Sequence, residues 1–127
     1  MLKHLIITGV TVLAAFSILP SAQAQSDNDK FMTRLKEANR GDAVAQRMLG
    51  RMYRDGKGVT QSYDEAVFWF RKAAIQNDKS AQASLGYAYQ YGNGVEKDYA
   101  QAMQWYQKCA AQNYNTCTSN IGYMYEK

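Results

Sequence analysis

One stretch constrains this chain more than anything else in it: Leu49-Gly50-Arg51-Met52-Tyr53-Arg54-Asp55-Gly56-Lys57-Gly58-Val59. It returns 36 positions later as Leu85-Gly86-Tyr87-Ala88-Tyr89-Gln90-Tyr91-Gly92-Asn93-Gly94-Val95 and begins again at Ile121-Gly122-Tyr123-Met124-Tyr125. Laying residues 45–80 over 81–116 at that single offset gives 15 identities in 36 without a gap. A unit repeated in this way cannot bury its apolar face alone, so the chain has to stack its copies.

Periodicity within each copy predicts two helices. Ala45, Met48, Leu49, Met52 and Tyr53 form one apolar stripe, matched by Ala81, Ser84, Leu85, Ala88 and Tyr89. Asp42 and Asp78 stand three residues ahead of the alanines, where an N-cap belongs. Gly50, Gly86 and Gly122 fall mid-helix, where glycine costs about 1 kcal/mol relative to alanine, so close approach of a neighbouring helix is expected there. The turns at Gly56, Gly58, Gly92 and Gly94 end these helices. Ser62-Tyr63-Asp64-Glu65 and Asp98-Tyr99-Ala100-Gln101 then open the second helices in capping-box style. The buried stripe of the second helices reads Tyr63, Ala66, Val67, Phe70, Ala73, Ala74 and Tyr99, Ala102, Met103, Tyr106, Cys109, Ala110. Trp69 and Trp105 lie beside it and are expected to fill the gap between successive pairs. The expected fold is all-α, a short αα right-handed solenoid of six helices.

The pattern Ala-Gln-x-x-Leu-Gly-x-x-Tyr-x-x-Gly-x-Gly-Val, followed by Tyr-x-x-Ala-x-x-Trp-[Phe/Tyr]-x-Lys-x-Ala, closely resembles the Sel1-like repeat, a relative of the tetratricopeptide repeat. The resemblance covers residues 43–125. It implies an interaction scaffold or adaptor, one that in bacteria is often exported, with no catalytic residues. The third unit departs from the pattern, with Cys117 for alanine, Thr118 for glutamine and Asn120 at a core-facing position.

The N-terminus reads as a secretory signal peptide. Met1 to Lys3 carries one lysine and no acid, Leu5 to Leu19 is an apolar run short for a membrane span, and Pro20-Ser21-Ala22-Gln23-Ala24 offers a small-x-small cleavage site. Cleavage is expected between Ala24 and Gln25, giving a periplasmic or secreted protein with no membrane insertion afterwards. The expected organisation is therefore a signal peptide over 1–24, a polar disordered lead-in and N-terminal capping helix over 25–42, and a repeat domain over 43–127. The repeats run 43–78 and 79–114, with a half-repeat at 115–127. Phe31, Met32, Leu35 and Ala38 give the capping helix its apolar side, and Gly41 stops it.

Cys109 and Cys117 are the only cysteines, eight apart, in a chain read as exported. A disulfide between them is the default, tying the last helix to the one before it; two buried free thiols are the alternative. The cysteine-rich branch of the Sel1-like family also links adjacent helices at this spacing.

Several chemistries are disfavoured. The only histidine is His4, inside the signal peptide, so the exported chain would have no imidazole for base catalysis or metal binding, and no cofactor or metal is expected. Gly56-Lys57-Gly58 is not followed by the Ser or Thr of a phosphate loop. Nucleic acid is not an expected partner, because the net charge of +4 on the full chain is modest and unpatterned.

What varies between the repeats while pointing away from the buried stripe is more informative. Arg47, Arg51 and Arg54 share a ridge, stacked beside Tyr87, Gln90 and Tyr91 and then Tyr123 and Glu126. First helices line the concave side of αα solenoids, so an Arg- and Tyr-rich groove for another protein is expected. The partner would be one or more proteins, among them an envelope enzyme or a secreted effector. Two roles compete: a scaffold or dedicated binder, and an immunity or inhibitor protein that neutralises a toxin or envelope hydrolase. The remote alternative is an enzyme acting on cell-wall or β-lactam substrates. Homo-oligomers through the last helix are a further expectation.

Overall fold

The computed structural model describes residues 19–126. Most of the expected signal peptide, residues 1–18, lies outside them. Six helices follow one another: α1 (Ala22–Asn39), α2 (Ala43–Asp55), α3 (Tyr63–Ile75), α4 (Lys79–Tyr91), α5 (Tyr99–Ala110) and α6 (Asn115–Glu126). Each packs chiefly on its neighbours in sequence, as a quasi-one-dimensional stack requires.

Local signals set the boundaries. The side chains of Asp42 and Asp78 each accept the backbone N–H three residues on at 2.8 Å, and Ser62 and Asp98 do the same for Glu65 and Gln101 at 3.3 and 3.1 Å. Gly56 and Gly92 end α2 and α4 in the left-handed conformation.

The start of the described chain differs from expectation. Residues 25–29 are not a disordered lead-in but helix, because Ser21 caps α1 by accepting the Ala24 N–H at 3.1 Å. Gln23–Asp27 and Gln25–Asp29 bonds of 3.0 and 3.3 Å then support its first turns. The expected cleavage point after Ala24 falls inside the first turn of α1. Packing also holds this segment. Asn28 donates to the Gly58 carbonyl at 3.4 Å, and the Asp27 carbonyl lies so close to Gly58 that a Cβ there would collide with it. Gly94 meets the Tyr63 carbonyl in the same way, 36 positions on. In space, α1 is thus the second helix of a repeat that precedes the first recognisable one.

The core is a row of three clusters. Phe31, Ala38, Ala45, Leu49 and Trp69 join α1, α2 and α3. Val67, Ala73, Ala74, Ala81, Leu85 and Ala88 join α3 to α4, with Trp105 packed against them from α5. Ala102, Tyr106, Cys109 and Cys117 join α5 to α6. Each tryptophan therefore reaches back to the preceding pair, as expected. Tyr63 and Tyr99 do not belong to this core, being 44 and 56 % exposed. Each is the first residue of its helix, where no earlier turn of the same helix helps to cover it.

A polar ladder runs alongside the apolar core. Buried Gln46 and Gln82 each donate to a carbonyl eight residues back, Ala38 and Ala74, at 3.2 Å. Each in turn accepts from a glutamine just past the end of the next second helix, Gln76 at 2.8 Å and Gln112 at 3.0 Å. The Ala38 and Ala74 carbonyls, which also accept the Gly41 and Asn77 N–H groups at 3.0 Å, thus tie each helix end to the next repeat.

Two of the three mid-helix glycines are explained by contact; among the described residues nothing lies within 4 Å of a Cβ built on Gly122, so the close approach expected there is not found. A Cβ on Gly86 would lie 2.6 Å from two carbons of the Tyr106 ring, and one on Gly50 would lie 2.6 Å from the ring of Phe70. Gly86→Ala will therefore destabilise the fold by about 1–3 kcal/mol in urea denaturation, because overpacking outweighs alanine's helix preference. A gain in stability would refute this.

Candidate functional site: the groove between α2, α4 and α6

The first helices present their outer faces to one side and enclose an open groove of about 710 Å³. Its floor is apolar, built from Ala66, Val67 and Phe70 of α3 and Ala83 and Ala88 of α4. Its rim is polar and aromatic: Arg51, Arg54 and Asp55 from α2, Tyr63 from α3, Ser80, Ser84 and Tyr87 from α4, and Tyr114, Thr116 and Asn120 from the start of the last unit. Most of the base residues are themselves buried, so the surface the groove offers is more polar than apolar, with the apolar side chains lying beneath it.

Three of the expected ridge residues, Arg51, Arg54 and Tyr87, meet in this groove. Arg51 donates to the Ser80 hydroxyl at 2.8 Å, which bridges α2 to α4 and fixes its guanidinium at the rim. Arg54 grips Asp55 through two bonds, 2.8 and 3.2 Å. That hydrogen-bonded pairing, with a further contribution from nearby Arg51, holds the Asp55 carboxyl below the usual carboxylate range. Tyr87 is half exposed, and its ring packs on Tyr91 with centroids 4.5 Å apart. Tyr91 and Tyr123 are both exposed but do not line the groove.

Two ridge residues have other tasks. Arg47 is half-buried and pairs with the Asp78 carboxylate at 3.1 Å, bracing the cap of α4. Gln90 is not a groove residue at all. It is 6 % exposed and accepts the Tyr106 hydroxyl proton at 2.6 Å. The second helix of repeat two carries Tyr106 where repeat one has Phe70, and that buried phenol needs an acceptor that Gln90 supplies.

The groove also contains residues the sequence reading assigned elsewhere. Tyr63 and Ser84 were expected in the buried stripe and Asn120 in the core, yet all three line the rim. The signal available for Tyr63 was its place directly after the Ser62 cap, at the mouth of the helix pair.

A disulfide joins Cys109 of α5 to Cys117 of α6, with Cα atoms 6.0 Å apart and both residues fully buried. It closes a turn through Asn113, which takes a left-handed φ of 60° just as Asn77 takes 71° one repeat earlier. Among the described residues, no cluster of His, Cys, Asp or Glu is placed to hold a metal ion, and no helix is long and apolar enough to cross a membrane.

Residues 43–78 and 79–114 each match the Sel1 repeat model. Solved structures share the fold, three of them as follows. The Escherichia coli protein c5321, described as a protective antigen of uropathogenic strains with an SLR fold, is 43 % identical over 75 % of this chain, with a TM-score of 0.74. A Sel1 repeat protein from Oxalobacter formigenes is 41 % identical over 78 % of the chain, at 0.75. Helicobacter pylori cysteine rich protein B is 27 % identical over 70 % of the chain, at 0.67. The chain spans 20 % of the first relative's length, 40 % of the second's and 67 % of the third's. A search of curated protein sequences returned no match. With both full repeats matched and the helix order of its relatives reproduced, this chain belongs to the Sel1 repeat family.

Proposed function

We propose that this protein is an exported interaction module that binds another protein in the groove between α2, α4 and α6 and works without catalysis. The observation that carries the proposal is the meeting of Arg51, Arg54 and Tyr87 above an apolar floor. Arginine and tyrosine are the residue types that dominate binding hot spots, and both are anchored here before any partner arrives. Arg51 is fixed by Ser80, and Tyr87 rests on Tyr91. With Asp55 already engaged by Arg54, Arg51 is the rim cation best placed for a carboxylate, so the fitting occupant is a segment with an acidic residue beside an apolar one.

Export to the periplasm or beyond is part of the same reading. It is supported by the N-terminal apolar run, by a disulfide of the kind that persists in oxidising compartments, and by similarity to a protein described as a protective antigen. The role this supports best is a dedicated binder of one periplasmic or secreted protein.

The experiment is co-purification of the tagged protein from its native envelope fraction, with Arg51→Glu/Tyr87→Ala beside it. One dominant protein recovered by the wild type is expected to bind the variant at least 100-fold more weakly in calorimetry, while circular dichroism of the variant stays unchanged. Equal affinity for both would reject the groove.

A further inference from the structure

Along the chain the charge reads as unpatterned, but stacking sorts it. Lys36, Lys72 and Lys108 occupy one position at the 36-residue offset, in the last turns of α1, α3 and α5, and all three are exposed. The stack therefore draws them into a row at the C-terminal ends of its second helices. Arg40 at the cap of α1 and Lys79 at the start of α4 lie at the same ends and are exposed as well. The acids there are already committed: Glu37 to Arg34 at 2.7 Å, Asp78 to Arg47 at 3.1 Å, and Asp42 to the cap of α2. Among the described residues, none of the five cations joins an ion pair. The turns and first residues that open α3 and α5 have the reverse balance, with Asp64, Glu65, Glu96 and Asp98 beside Lys57 and Lys97. The helix dipole accounts for a lysine in a last turn, but not for Lys79, which opens α4 where the dipole disfavours a cation.

Apolar side chains stand among these cations. Met32 and Phe68 lie one turn before Lys36 and Lys72, and Ile75, the last residue of α3, follows Lys72 by three. They are 54, 49 and 71 % exposed. The Lys72 ammonium sits 5.2 Å from the centroid of the Phe68 ring and that of Lys108 4.9 Å from the Trp105 ring, so each charge is held over an apolar surface and not over a carboxylate.

Separate ammonium groups in a row, with no cleft between them, match a flat array of phosphates better than a single folded anion. Lysine serves such an array as a point charge, without the planar fork that reads one phosphate in a fixed geometry. Exposed apolar side chains between the charges suit a surface whose interior is itself apolar. We propose that this edge of the stack docks peripherally on an anionic phospholipid surface, with the lysine row on the headgroup phosphates and Met32, Phe68 and Ile75 at the boundary with the acyl chains. None of these residues lines the groove, so either reading can fail without the other.

The test is co-sedimentation of residues 19–127, which carry every described helix and leave out most of the N-terminal apolar run, with phosphatidylcholine vesicles containing either none or about 30 % phosphatidylglycerol. Binding to the anionic vesicles is expected to be saturable, at least tenfold tighter than to the neutral ones, and to weaken steeply as salt is raised. Lys72→Glu/Lys108→Glu should lose at least tenfold. Lys57→Glu/Lys97→Glu makes the same change in net charge at the other ends of the helices, about 20 Å away and beyond the screening length, and should bind within about twofold of wild type. Ile75→Ser should weaken binding severalfold. Circular dichroism should be unchanged in all three variants, since every altered side chain is exposed. No preference for anionic vesicles, or equal losses from the two lysine pairs, would overturn the proposal. Wild-type affinity in Ile75→Ser would overturn it in favour of a purely electrostatic site for a soluble polyanion.

Discussion

Tyr106→Ala is expected to lower the free energy of unfolding by about 3–5 kcal/mol, read by urea denaturation. Tyr106 is the largest of the fully buried side chains; its ring seats on Gly86 and its hydroxyl bonds Gln90. Truncation leaves a cavity between α4 and α5 and an orphaned amide oxygen at once. The two contributions can be separated. Tyr106→Phe keeps the ring and should cost about 1–3 kcal/mol, the penalty for leaving buried Gln90 without its donor. Adding Gln90→Leu should recover much of that loss. Burial, more than the nearby Tyr91 and Tyr87, pushes the Tyr106 phenol well above its ordinary value near 10. The folded state therefore holds this proton where the unfolded chain has released it. Its contribution to stability is complete below pH 10 and declines as pH rises above 10. Thermal melts between pH 9 and 11 should fall more steeply for wild type than for Tyr106→Phe.

Loss of the Cys109–Cys117 disulfide is the second large effect. Cys109→Ala/Cys117→Ala should reduce stability by roughly 2–3 kcal/mol, the loop-closure value for a bridge between residues eight apart. The damage should be local as well as global. Helix α6 packs chiefly on α5 and has no helix beyond it among the described residues, so the bridge does for α6 what a following helix does for α2 and α4. Hydrogen exchange should accelerate most in α6 amides, with α2 and α3 protected nearly as before. Uniform acceleration across all six helices would contradict this division.

The repeat period made the helices legible. Caps at Asp42, Ser62, Asp78 and Asp98, the left-handed glycines at 56 and 92, and the stripe through Leu49 and Leu85 are local or periodic signals, and each appears where the spacing placed it. Even the identity of the ring over Gly86 left a trace. Between the repeats Phe70 becomes Tyr106 while Arg54 becomes Gln90, an added hydroxyl together with a neutral acceptor for it. Read as a pair, those two exchanges would have removed Gln90 from the list of groove residues.

Other features could not be read locally. Residues 25–29 are polar by composition, but Asn28 and the Asp27 carbonyl rest on Gly58, some thirty residues away, and only that contact makes them part of the stack. Tyr63 and Asn120 fall on apolar positions of the repeat pattern, yet both face the groove, because its rim is assembled from helices of different repeats.

By itself, then, the sequence determined the helix count over the repeats, their caps and most of their buried stripe, and made a bond between Cys109 and Cys117 the default, since all of these depend on spacings within one or two repeats. Only the tertiary structure decided which arginines reach the groove, which glycines are covered by a ring, and that Gln90 is buried beneath Tyr106. Those depend on how successive helices lie against one another, and a one-dimensional period carries the order of that packing but not its geometry.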